Sequence, residues 1–154
     1  MVNKTRFYIY TIGLLPFVLL LFTGVILVKY HTGAAPESTV LGGDAHFWFS
    51  FHKVIAVITI PLILLHLFVK TDWVKSLLRF KVKGRFKTTN SILFVVFVLC
   101  SLTALVSWLI IDDPAISGNL GGIHNKFGIL LIILFVIHVW NYRKRIIAQF
   151  KQLK

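Results

Sequence analysis

The sequence predicts an all-α integral membrane protein, a four-transmembrane-helix bundle made of two pseudo-repeated helical hairpins within a single domain spanning residues 1–154. Three observations predict it: four long apolar runs, a segregated distribution of basic residues, and histidines that recur at one spacing on two of the runs. Of the 154 residues 57% are hydrophobic, more than a soluble domain of this size can bury, and long apolar runs read as membrane spans. The runs cover about 7–28, 47–69, 91–111 and 122–142. Each is close to the ~20 residues needed to cross the hydrocarbon core of a bilayer.

The first run follows Lys4 and Arg6 but is longer than the apolar region of a signal peptide, and no small-x-small cleavage site follows it. It is read as a retained helix. Pro16 lies in the first run and Pro61 in the second, where it frees the carbonyl of Val57. The resulting bend either makes room for a flat cofactor or is ordinary proline use in a membrane helix. Gly13 and Gly24 allow a close backbone approach, to a cofactor face or to a neighbouring helix. The third run holds the one cysteine, Cys100, so an internal disulfide, a Cys-rich zinc site and an iron–sulfur cluster are excluded. There is no C-x-x-C-H motif for covalent haem attachment.

The net charge of +12 is not spread evenly. Lys4 and Arg6 precede the first run, and Lys70, Lys75, Arg79, Lys81, Lys83, Arg85 and Lys87 separate the second from the third. Arg143, Lys144, Arg145, Lys151 and Lys154 follow the fourth, whereas the other two loops hold Glu37, Asp44, Asp112 and Asp113. This is the positive-inside pattern of a multi-pass protein with both termini cytoplasmic. The charge serves topology and contact with anionic lipid, not nucleic acid. Trp48 and Trp108 fall near the outer interface, and Trp73 and Trp140 near the inner one, as an aromatic belt.

The segment FHKVIAVITIPLILLH, from Phe51, aligns with IHNKFGILLIILFVIH, from Ile123, histidine on histidine at both ends. His52 corresponds to His124 and His66 to His138. Upstream, FTGV at Phe22 resembles LTAL at Leu102, and each following loop holds a proline and a Gly-Gly, Pro36 with Gly42-Gly43 and Pro114 with Gly121-Gly122. Two hairpins that enter the membrane in the same sense are related by an axis along its normal.

Within each segment the histidines stand fourteen positions apart. That is a rise of about 21 Å and four turns less about 40°, which puts both on one face near opposite sides of the membrane. Facing helices then offer two pairs, His52 with His124 outside and His66 with His138 inside. Two imidazoles fall short of the three or four protein ligands of a zinc site. Haem brings four nitrogens of its own and needs only axial ligands, and helical bundles build cofactor sites from side chains on facing helices. The spacing therefore predicts two bis-histidine haems b, with iron held by His52, His124, His66 and His138. The alternative is a haem-free transporter or assembly factor using the histidines as a relay.

Lys53 and Lys126 beside the outer pair, with Lys29, and Lys70 and Arg143 beside the inner pair are candidates to meet haem propionates, or they snorkel to the surface. His31 and His46 lie in or near the outer loops and have no counterpart in the second hairpin, so they read as solvated in preference to binding a quinone headgroup or a partner. Asp112, Asp113 and His46 outside, and Lys70 and Asp72 inside, are alternatives as proton handlers, but loop solvation is the safer assignment for each.

Through the four histidines at their shared spacing, and through HFWFSFHK followed by LLHLFVKTDW, nearly the whole chain resembles the prokaryotic di-haem cytochrome b group. That group includes small bacterial cytochrome b-561-type membrane proteins and the b-type subunits of hydrogenase and formate dehydrogenase. The third run lacks the glycines that the cytochrome b of bc complexes uses for close haem contact, and offers Ala104 instead. The resemblance implies a bacterial cytoplasmic (inner) membrane protein. It implies the cytochrome b subunit or membrane anchor of a multi-subunit oxidoreductase, not a stand-alone enzyme. Two axial histidines leave iron no open position, so such haems carry electrons. Irons roughly 20 Å apart, by the helix rise, would link a quinone pool or other donor to redox-partner subunits across the membrane.

Overall fold

A computed structural model describes Tyr8 and residues 11–151, without the side chain of residue 150. Lys4, Arg6, Lys154 and the start of the first predicted span lie outside the described residues. The elements are α1 (Leu14–His31), α2 (Ala45–Val69), α3 (Thr71–Leu78), α4 (Lys87–Leu109) and α5 (Pro114–Lys151). Among the described residues, four of these helices, all except α3, are long and apolar enough to cross a membrane. The chain is an all-α multi-pass membrane protein. Large apolar side chains on the helix exteriors, such as Leu15, Val57, Leu64 and Val136, are exposed, as lipid-facing residues must be.

The described residues fall into two compact units, divided at Lys81/Val82 and at Ala148/Gln149. In the first, α1 packs antiparallel on α2. Ile26 and Leu27 of α1 and Trp48 of α2 form a buried cluster, and Tyr30, Val40 and Phe51 pack against it. The connecting segment is tied down by its own backbone. Val40 and Gly43 exchange both backbone hydrogen bonds, at 2.8 and 3.0 Å, around a two-residue turn. Both turn residues are left-handed, Leu41 at φ 50° and Gly42 at φ 82°, which glycine adopts freely and leucine does not. The Tyr30 hydroxyl donates to the Ser38 carbonyl at 2.8 Å, and the Trp48 indole N–H to the Val40 carbonyl at 2.8 Å. Asp44 then caps α2 by accepting from the Phe47 amide at 2.8 Å. Gly43 sits against this cap. A Cβ there would collide with the Phe47 ring and stand 2.9 Å from the Trp48 Nε1.

Trp48 packs inside the hairpin instead of standing exposed as a belt residue would. It is 7% exposed and holds the loop to the hairpin, whereas Trp108 and Trp140 are 44% and 63% exposed. The hydropathy pattern does not mark α3, a short amphipathic helix that starts as soon as α2 ends at Lys70. Trp73, Val74 and Leu77 are half-buried on one side of it, and Asp72, Lys75 and Leu78 are exposed.

In the second unit α4 and α5 run antiparallel, joined by side-chain bonds at three levels. Ser107 meets Ser117 at 2.9 Å near the connection, Cys100 meets His124 midway, and Asn90 meets Tyr142 at 2.8 Å at the far end. The Pro114 to Gly122 stretch is helical, which corrects the expected loop. Proline suits the first turn of a helix because its missing N–H needs no partner there. The Asp113 carboxylate takes the next two amides, of Ala115 at 2.8 Å and Ile116 at 3.0 Å. The Gly-Gly of the second hairpin thus lies inside a 38-residue helix, while Gly42-Gly43 of the first forms a turn.

Candidate functional site

On α2 the positions His52, Thr59 and His66 are spaced by seven residues, two turns apart, and so share a face. His124, Leu131 and His138 repeat that spacing on α5. The four histidines are half-buried, and Thr59 and Leu131 between them are buried. Thr59 is fully covered, and its hydroxyl has no hydrogen-bond partner among the described residues.

What the helices do to three of these imidazoles is specific. The Thr23 side chain of α1 is fully buried, and its hydroxyl oxygen lies 2.7 Å from the His52 Nδ1. The same hydroxyl lies 2.9 Å from the Leu20 carbonyl, and with its single proton donated there it accepts from His52. On α4 the Cys100 carbonyl, which can only accept, lies 3.0 Å from the His124 Nδ1, with Cys100 Sγ at 3.4 Å. Thr103 donates to the same carbonyl at 3.0 Å. At the other end of α5 the His138 Nδ1 lies 3.1 Å from the Asn90 Oδ1.

The carbonyl puts the His124 proton on Nδ1, and the Thr23 hydroxyl and Asn90 amide as oriented do the same for His52 and His138, which leaves each lone pair on Nε2. Metal-ligating histidines are commonly held this way, with the other ring N–H donated to a carbonyl or carboxylate. The donor set therefore suits iron that needs only axial imidazoles. Gly24, one residue after Thr23, faces the same ring, and a Cβ there would stand 3.7 Å from the His52 Cε1.

Replacing Thr23 with valine keeps the volume and removes the acceptor. A buried N–H left without a partner costs about 1–3 kcal/mol. The variant should melt at a lower temperature in detergent, and Thr23→Ser should recover most of the loss. Equal melting of Thr23→Val and the parent would show that the bond carries no stability.

Lys53, Lys126, Lys70 and Arg143 are all exposed. Arg143 folds back on Trp140, its guanidinium 3.7 Å from the ring centroid and donating to the Trp140 carbonyl at 3.0 Å. His31 and His46 are exposed, and the His31 ring meets Phe49 edge-on at 5.9 Å. Gly13 stands at the N-cap of α1.

The acceptors Thr23, Cys100 and Asn90 are not identified by the histidine pattern. The one available signal was that Thr23 and Asn90 are polar residues in or beside apolar helices. The FTGV and LTAL alignment even misleads. It pairs Thr23 with Thr103, yet Thr103 bonds within its own helix and the Cys100 carbonyl, nearly one turn earlier, takes the place of the Thr23 hydroxyl. Comparison of the chain with protein-family models, with curated proteins and with solved structures finds no match.

Proposed function

We propose that this chain carries electrons across a membrane by holding two b-type haems, one between His52 and His124 and one between His66 and His138. The observation that carries this reading is the common state of three imidazoles, each donating Nδ1–H to a fixed oxygen and keeping its lone pair on Nε2. Bound there, haem supplies a one-electron couple at iron. The residues hold and orient the ligands: Thr23, the Cys100 carbonyl and Asn90 each set a ring's tautomer and its angle about the Cβ–Cγ bond. The apolar helices exclude water from that layer.

Electrons would enter from a quinol or a redox-partner subunit on one face and leave to a partner on the other. The chain would act as the cytochrome b subunit or anchor of an oxidoreductase. The basic residues from Lys70 to Lys87 and from Arg143 onward favour a bacterial cytoplasmic membrane with those segments on the cytoplasmic side. Lys53, Lys126, Lys70 and Arg143 are near enough in sequence to the histidines to meet propionates.

The test is a reduced-minus-oxidised optical spectrum of the purified chain with haem quantified per polypeptide. Two haems b per chain support the reading. A chain expressed with ample haem that shows no Soret band overturns it and favours the haem-free transporter or assembly factor.

A further inference from the structure

We propose that Asn90 is the positioning residue for His138, fixing which ring nitrogen can bind iron and setting the donor strength of that nitrogen. The inference rests on the haem reading above only where it concerns iron.

Asn90 stands in the first turn of α4, where a polar side chain at a helix end would ordinarily be left to solvent. Here both halves of its amide are used, by residues far along the chain. The Nδ2 donates to the Tyr142 hydroxyl at 2.8 Å, and the Oδ1 faces the His138 Nδ1 at 3.1 Å. The structure turns the NH2 group, which can only donate, toward the Tyr142 hydroxyl, which accepts here. With Nδ2 turned to Tyr142, the oxygen must face His138, and an amide oxygen can only accept. The His138 proton is thereby placed on Nδ1.

Tyr142 follows His138 by one turn of α5, its ring centroid 4.9 Å from the imidazole. Phe86 at 5.6 Å and the Arg145 guanidinium at 5.6 Å also meet the Tyr142 ring. Tyrosine, asparagine and histidine thus form a directed chain whose last member is a ligand candidate. A side-chain amide is also replaceable, unlike the Cys100 backbone carbonyl that serves His124, so this position can be tuned by mutation.

A stronger acceptor at Nδ1 makes Nε2 a better electron donor, which favours ferric over ferrous iron and lowers the reduction potential; a lost acceptor raises it. The experiment is a spectropotentiometric titration of the full-length chain, with haem bound, for the parent, Asn90→Leu and Asn90→Asp. Expected are an upward shift for Asn90→Leu and a downward shift for Asn90→Asp, each confined to one of the two haems. Tyr142→Phe should shift the same haem upward by less, since it only loosens the amide.

Shifts of one sign in both Asn90 variants, equal shifts of both haems, or no shift would overturn the proposal. A second readout does not need haem: 15N NMR of the histidine-labelled apo chain. The parent should show His138 as the Nδ1–H tautomer, and Asn90→Leu a mixture of the two. If the parent binds no haem, the functional reading falls and the tautomer alone decides the role of Asn90. If haem binds and the tautomer is the same in all variants, the positioning role falls and the functional reading stands. Asn90→Asp keeps the size and polarity of the side chain, so the test survives a failure of Asn90→Leu to fold.

Discussion

Under the proposed pairing, replacing His138 with alanine should remove half of the haem b that the chain binds and leave the other half spectrally unchanged. His66→Ala should produce the same loss, and the double variant no more than either single one, because an iron that loses one axial histidine of the pair has lost its site. His52→Ala and His124→Ala should empty the other site and spare this one. The pairing is the most direct consequence of the fourteen-residue spacing along α2 and α5, where each helix presents one histidine at each of two levels. Haem per chain, read as the pyridine haemochrome, and the split of the reduced α band decide it. Loss of both haems from every single variant, or survival of both in any of them, would break the pairing.

The second large effect is structural. Trp48→Ala should destabilise the α1–α2 hairpin by about 3–5 kcal/mol, the range for emptying a buried aromatic site. Trp48 is 7% exposed, packs on Ile26 and Leu27, and donates its indole N–H to the Val40 carbonyl. Trp48→Phe should retain most of the packing and lose mainly that hydrogen bond, a deficit of about 0.5–1.5 kcal/mol. Thermal unfolding in detergent measures both. The hairpin also sets Thr23 against His52, so the alanine variant should release one haem at a lower temperature than the other. If Trp48 were a lipid-interface anchor instead, alanine and phenylalanine variants of Trp48 and of the exposed Trp140 would all behave alike.

Several features of the fold were legible because they depend on composition along the chain. The second span, expected at 47–69, is the helix Ala45–Val69, since its ends are marked by Asp44 and by the change from Val69 to Lys70. The third span begins about one turn earlier than hydropathy suggests, at Lys87, because a helix continues into polar residues once its backbone is paired. The fourth was misread at its start. Pro114 and Gly121-Gly122 look like a loop by composition, but a capping carboxylate at Asp113 and a proline at the first helical position favour a helix from there onward. Leu41 at a positive φ and the burial of Trp48 could not be anticipated from local preference, since both follow from how the loop lies over the hairpin.

By itself the sequence determined the all-α membrane class, the four apolar helices and the four-turn spacing that aligns His52 with His66 and His124 with His138. These are properties of residues near one another in the chain, and helix geometry converts such spacing directly into a face. The acceptor of each ring proton was decided only by the tertiary structure. Thr23 lies twenty-nine residues from His52, Cys100 twenty-four from His124, and Asn90 forty-eight from His138. Which oxygen reaches a ring nitrogen depends on the register between two helices, and a shift of one turn, as between Thr103 and Cys100, exchanges a side-chain hydroxyl for a backbone carbonyl.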